Sequence, residues 1–282
     1  VDGMNVRVCF SEPVDPAAAV NMNNYGINFG APGSGIGSVQ VAPDGGSATI
    51  QLIVPVTGAF AVTGTGLSDC AGNTTTSSCQ GEADDWTESL IGAPTPPGQT
   101  VANCDGSISI TGGGGGLWNY TDQGSFLHQG IEGNFDIKVQ INGIEWTGQN
   151  SMGGLFARSG DTPDAATIGL YNNNGRIGTG VREFSGNLYW QFGETPSLAS
   201  WLRLERVGDT YRTYFSMDAS AWTLDEEWTV SGPLAGSGEK LVGVVVTSQE
   251  ANLPVTYRIS NLTLSSDPSA SPTHASTSGS GQ

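Results

Sequence analysis

Basic residues are what this chain has least of. Ten Lys and Arg stand against 27 Asp and Glu in 282 residues, a formal charge of −17. Nucleic-acid binding draws its affinity from basic side chains, so a surface of this sign makes nucleic acid and anionic membrane poor partners. The deficit is spread along the chain. Residues 1–80 hold one basic and five acidic residues, which leaves −13 for the rest. That distribution suits the solubility of a secreted protein. Histidine occurs only at His128 and His274, and the four cysteines, Cys9, Cys70, Cys79 and Cys104, include no C-x-x-C. A zinc site therefore has too few ligands, and disulfides in an oxidising compartment are the better reading. No apolar run reaches the length of a membrane span. The first residues lack the basic and then apolar stretches of a secretion signal, so a mature or excised form is expected.

Catalytic constellations are equally scarce. Glu82-Ala83-Asp84 reads as part of a linker and Asp225-Glu226-Glu227 as a solvated loop, the usual place for charge runs. His128 sits between apolar positions on an expected strand, where a packed histidine is favoured over a Ser-His-Asp base. Gly112–Gly116 lacks the Lys-Ser/Thr and the helix of a phosphate loop. No enzyme is expected.

Glycine is what the chain has in excess, 42 of 282 residues, about twice the usual share of roughly 7%. With few charges and period-two apolar patterns, this predicts an all-β protein of short strands and tight turns. In residues 1–81, strands are expected at 6–10, 25–29, 37–41, 48–54 and 59–65. Beyond residue 82 they are expected at 107–111, 134–141, 153–158, 168–171, 188–192, 201–207, 210–216, 240–247 and 256–264. The most informative segment is WLRLERVGDTYRTYFSMDASAWT, residues 201–223. Leu202 and Leu204 share one strand face, Tyr211, Thr213 and Phe215 share another, and Gly208-Asp209 forms a two-residue hairpin loop.

That segment resembles the "WlRL.R.G..f..yyS.DG..W" signature of the DUF1349 family, a branch of the concanavalin-A-like jelly rolls, with Asp218-Ala219-Ser220 departing from its Asp-Gly turn. The runs IGAPTPPG, GGGGGLWNYTDQGSFLHQGIEGNFDIKVQI, GGLFAR and LVGVVVTS extend the likeness over residues 82–265. Concanavalin-like glucanases carry E-x-D-x-x-E, and no such motif occurs here. In residues 1–81, VRVCFSEPVDPAAAVNMNNYGI, DGGSATIQL and FAVTGTGLSDCAGN resemble the bacterial Ig-like domain of S-layer and adhesin proteins. That family places one more strand before the one read here as the first. An unfinished edge invites a strand donated by another segment. The expected architecture is thus an Ig-like β-sandwich lacking its first strand (1–81), a jelly-roll sandwich (82–265) and a Ser/Thr/Pro-rich tail (266–282) expected as a linker, or else as the donated strand.

Candidate sites follow from residue chemistry. Sugar rings stack their C–H faces on aromatics, which nominates Trp118, Tyr120, Trp146, Tyr171, Trp190 and Trp228, with Arg158 and Asn172–Asn174 as hydrogen-bonding neighbours. Trp201 and Trp222 are expected in the core. Cys70 is expected to pair with Cys79 across a short loop and Cys9 with Cys104 between domains. Sequons occur at Asn73, Asn119 and Asn261. No cofactor is expected. Calcium has oxygen donors at Asp161–Asp164 and Asp69–Asn73, where turn capping is favoured over ligation. The expected function is a non-catalytic extracellular or cell-surface structural or adhesive module that self-associates, polymerising into a filament by strand donation. The alternative is a carbohydrate-binding accessory region of a secreted glycoside hydrolase, with polysaccharide as partner.

Overall fold

Alternation of apolar and polar side chains becomes sheet throughout the computed structural model of the chain, which describes residues 3–28, 30–83, 85–117, 120–145, 148, 150–191, 193–266 and 268. In the first part, β1 (Asn5–Cys9), β3 (Ile36–Val41) and β4 (Ser47–Leu52) form a sheet ordered β1-β4-β3. A second sheet is ordered β2-β5-β6, from β2 (Tyr25–Ile27), β5 (Ala59–Ser68) and β6 (Thr74–Glu82). Val6, Tyr25, Ile50, Leu52, Val62 and Leu67 meet between the two sheets as one core. β6 escapes the sequence reading because TTTSSCQGE has no apolar alternation, and residues 74–80 are exposed on both faces.

The larger part stacks two antiparallel sheets, as sandwich packing requires. One contains β7 (Thr87–Ile91), β10 (Gly124–Ile131), β12 (Met152–Arg158), β13 (Thr167–Asn173), β14 (Arg176–Arg182), β15 (Trp190–Gln191), β16 (Thr195–Pro196) and β20 (Lys240–Thr247). Its order is β15-β14-β13-β12-β20-β10-β7, with β16 also on β14. The other contains β8 (Gln99–Ala102), β9 (Ile108–Gly114), β11 (Phe135–Glu145), β17 (Trp201–Val207), β18 (Thr210–Ser216), β19 (Thr223–Thr229) and β21 (Glu250–Ser265), ordered β19-β18-β17-β11-β21-β9-β8. The chain is all-β, with only a four-residue helix, Pro16–Ala19, and two 3₁₀ turns among the described residues.

The signature hairpin is β17–β18. Leu202 opposes Phe215 and Leu204 opposes Thr213, and Gly208 closes the loop at φ +60°. Leu202, Leu204 and Tyr211 enter the inter-sheet core with Phe135, Ile137, Leu155, Leu170 and Val244. Trp201 and Trp222, expected in the core, are half-buried instead. Period two puts Trp201 and Arg203 opposite to Leu202 and Leu204, and the Trp222 ring lies 5.9 Å from the Arg203 guanidinium. The expected solvated loop Asp225-Glu226-Glu227 is the edge strand β19. A bulge between Thr213 and Tyr214 lets it pair with β18 while Asp225 goes unopposed.

A second, smaller core covers the outer face of the β12–β13–β20 region, formed by Ile91, Leu117, Phe126, Met152, Phe156, Tyr171 and Val245. Glycines on that face let rings lie flat. A Cβ on Gly180 would stand 2.1 Å from the Tyr189 hydroxyl, and one on Gly169 would stand 2.2 Å from the Phe156 ring.

A disulfide joins Cys9 of β1 to Cys104 in the turn after β8, Cα to Cα 5.6 Å. Beside it, Arg7 donates to the Ala102 carbonyl at 3.2 Å and to the Ser47 hydroxyl at 3.0 Å. Cys70 and Cys79 are exposed thiols, which corrects the expected bridge between them. Cys70 lies in the Asp69–Asn73 turn, whereas Cys79 is five extended residues beyond Thr74, about 17 Å along the strand, and a disulfide needs Cα atoms within about 7 Å.

Candidate functional site

Both large sheets end at the same side of the sandwich, one in β14 and β15, the other in β19, and a groove of about 320 Å³ opens between those edges. Val181, Glu183, Phe184, Asn187, Leu188, Trp190 and Trp228 line it. Trp190 is opposite Val181 in the β14–β15 register. Directly opposed residues share a face, so Trp190 continues the inward face beyond the edge of the core. It is 66% exposed, with Phe184 at 42% and Leu188 at 40%. Trp228 comes from the other wall, opposite Tyr211 on β18 and packed partly against the main core.

The loop between β14 and β15 is held from beneath by an ion triad. Asp122, fully buried, accepts from Arg158 Nη1 at 2.5 Å and from Arg182 Nη1 and Nη2 at 2.8 and 2.6 Å. Arg182 also donates through Nε to the Asn187 carbonyl at 3.0 Å, fixing the loop at the residue that lines the groove. Tyr189 turns to the opposite side from Trp190, and the Arg182 guanidinium stands 5.9 Å from its ring. Burial pushes the Tyr189 phenol well above its usual pKa. Across the groove, Glu183 Oε1 accepts from Ser231 N at 2.6 Å and Ser231 Oγ at 2.5 Å, clipping the two walls together. Phe184 lies against Gly232, whose φ is +64° and where a Cβ would come within 2.4 Å of the ring.

No Lys or Arg lines this groove. Its rim is acidic. On β19, burial raises the Asp225 pKa, opposed by a 2.6 Å hydrogen bond from the Thr179 hydroxyl, and burial together with the Asp225 charge raises Glu226. The arrangement offers three aromatic faces, two aliphatic side chains, an amide and a carboxylate, with the polarity of a site for an uncharged, amphipathic ring.

Of the nominated residues, the structure brings Trp190 and Trp228 together. Arg158 is a correction. It is 0% exposed, and besides Asp122 its donors reach the Thr162 carbonyl at 2.8 Å and the Gly160 carbonyl at 3.4 Å, so it offers nothing to a ligand. Tyr171 is likewise buried, in the smaller core. Asn172 caps the Gly175 amide at 3.0 Å and Asn173 donates to Glu194 at 2.9 Å. Both lie on β13, opposite the far end of β14 and about 20 Å from its groove end at 3.3 Å per residue. Tyr120 is 58% exposed and does not line the groove. Trp118, Trp146 and the Asn119 sequon lie outside the described residues. Asn73 and Asn261 are exposed, bonded to Asp69 at 2.7 Å and Gln140 at 2.9 Å. Phe184, Leu188 and Glu183 escaped the sequence reading, although the cluster EFSGNLYW, with three turn formers between aromatics, marks such a loop.

His128 is mostly buried, stacked on Phe126 at 4.5 Å and 3.2 Å from the Ser89 hydroxyl, and burial lowers its pKa. In the Asp69–Asn73 loop the carboxylate accepts from the Ala71 and Asn73 amides, both at 2.8 Å, as a turn cap. In Asp161–Asp164 the Thr162 carbonyl is taken by Arg158 and the Pro163 carbonyl by the Asp122 amide at 2.8 Å. Among the described residues no group of three His, Cys, Asp or Glu side chains is placed to hold a metal. No helix among them is long and apolar enough to cross a membrane.

No family model matches the chain, and neither does any curated protein. Among solved structures it is similar to a functionally unknown protein from Saccharomyces cerevisiae, at 15% identity and TM-score 0.48, covering 60% of this chain and 96% of that one. It is also similar to the carbohydrate binding module CBM66 from Bacillus subtilis, at 13% identity and TM-score 0.39, covering 64% and 94%. A third is a legume lectin-like domain from Entamoeba histolytica, at 12% identity and TM-score 0.42, covering 64% and 90%. What stands established is an all-β chain whose larger part is a sandwich of two antiparallel sheets.

Proposed function

We propose that this chain is a non-catalytic, extracellular carbohydrate-binding module whose groove between β14–β15 and β19 takes an uncharged polysaccharide. The observation that carries the reading is Trp190, two-thirds exposed, beside Phe184, Leu188 and Trp228 in one groove. A large indole left in water on a well-packed sandwich is an apolar surface awaiting a partner, and a pyranose C–H face is a partner of matching size and polarity. The groove's lack of basic side chains and its Glu183 carboxylate disfavour polyuronates and sulfated chains. Binding without hydrolysis fits the carboxylates. Asp122 is saturated by two guanidiniums, and Glu183 is engaged by Ser231. The disulfide fits an oxidising, extracellular setting.

Calorimetry against soluble neutral glucan and xylan, with alginate as the anionic control, tests this. Binding to a neutral chain, lost at least tenfold in Trp190→Ala with melting temperature unchanged, is the expected result. Equal binding by Trp190→Ala, or binding to alginate alone, sinks the proposal.

A second reading, the structural or adhesive module that polymerises by strand donation, is favoured by one observation. The smaller sandwich is open on the side where β1 and β6 end their sheets, over a groove of about 330 Å³ lined by Val8, Phe10, Tyr25, Val62 and Leu67. The tail 266–282 falls almost wholly outside the described residues. Its Pro268 and Pro272 and its want of apolar alternation make it a poor donor strand. Electron micrographs of concentrated protein showing filaments would favour this reading over the first.

A further inference from the structure

We infer that the groove takes the end of a glycan chain and not its interior. On the glycan reading, to which this is tied, the substrate class narrows to chain termini. Alternate positions of β14 divide the seam between the two sheet edges. Val181 lies in the groove opposite Trp190, and the positions on the same face to either side of it, Thr179 and Glu183, each reach across to the other sheet. Thr179 donates to Asp225 at 2.6 Å and shares a 2.7 Å hydrogen bond with Thr213. Glu183 accepts from the amide and the hydroxyl of Ser231 at 2.6 and 2.5 Å. From residue 179 to residue 183 a strand advances about 13 Å at 3.3 Å per residue. The groove is the compartment between these two crossings.

The crossings lie at different depths. Thr179 is 1% exposed, so its hydrogen bonds run below the surface. Ser231 is exposed and Glu183 half-buried, so theirs spans the mouth. Behind it the Phe184 ring lies against Gly232, closer than a Cβ would allow. A chain laid along the seam therefore meets a barrier at Glu183. Laid across the seam, it meets Trp228 on one side and, on the other, the 184–190 loop that Arg182 ties down at Asn187. An interior segment must continue in two directions, whereas a terminal sugar continues in one. The volume of about 320 Å³ is at the low end of the roughly 300–1,000 Å³ of small-molecule sites. Such a compartment holds a terminus against Trp190 and rejects an interior segment by collision, the repulsive half of specificity.

Calorimetric titration of the full chain against short and long size fractions of a linear glucan and a linear xylan counts the proteins bound per chain. End binding gives about one protein per chain at every length, with the same affinity per mole of chain. Glu183→Ala removes both contacts to Ser231 and opens the barrier. It should load the long fraction with several proteins per chain, its melting temperature verifying the fold. Wild-type protein that loads the long fraction in proportion to its length overturns the inference and leaves glycan binding intact. Glu183→Ala that still counts a single protein per long chain overturns it as well. Absence of binding to every fraction removes glycan binding and this inference together, so the two failures are distinct.

Discussion

Asp122 is the residue on which the groove's geometry depends, because its single carboxylate is the shared counter-charge of two guanidiniums that have no exposure of their own. Removing one member of a buried ion cluster leaves uncompensated charge and costs about 3–5 kcal/mol. Asp122→Ala should therefore lower stability by at least that much in urea titrations. Glycan affinity should fall with it, because Arg182 then no longer holds the Asn187 carbonyl. Asp225 makes the opposite case. Its folded-state pKa is raised by burial, so the folded state holds the proton more tightly than the unfolded one. Stability from this group is complete below the ordinary carboxylate range and is lost as pH rises through the raised value. Asp225→Asn keeps an acceptor for Thr179 and has no such proton to lose. Thermal melts should show the variant close to wild type at about pH 3 and more stable at neutral pH. A difference independent of pH would contradict this.

Close contacts between elements decide how much change the sandwich tolerates. Gly180 of β14 is overlain by the Tyr189 hydroxyl, so Gly180→Ala must displace a buried ring, at about 1–3 kcal/mol for overpacking. Because Tyr189 precedes Trp190, glycan affinity should fall together with the denaturation midpoint. The same elements show what the sequence made legible. β17–β18 was readable because its alternation, its Gly-Asp loop and its cross-strand partners are all local. β6 was not, because a strand with neither face buried has no hydrophobic period to detect. β19 was taken for a loop on the strength of three carboxylates, which in the fold are the charges of an edge strand. Trp190 was nominated as an aromatic of interest, and the structure leaves it 66% exposed in the groove. Its partners Phe184 and Trp228 lie on two sheets whose edges only the tertiary fold brings together. Arg158 was misread for a related reason. The carboxylate that buries it stands 36 residues away in the chain, a pairing no spacing rule announces.

At the scale of the whole molecule the Cys9–Cys104 bridge ties the smaller sandwich to the larger across a sequence separation of 95. A loop of that length restricts the unfolded chain by an amount worth about 4–5 kcal/mol in the chain-entropy model. Cys9→Ala/Cys104→Ala should therefore melt earlier, and calorimetry should resolve a separate transition for the β1–β6 part. The bridge also alters the path of mechanical load. When the chain is held at its two ends and stretched, tension entering along β1 crosses the sulfurs at Cys9 and re-emerges at Cys104. β2 to β8 are left slack inside the closed loop. Under force the oxidised protein should extend about 330 Å less than the reduced one at full stretch, at 3.3–3.6 Å per residue, so oxidation makes every strand of the smaller sandwich but β1 a bystander to pulling.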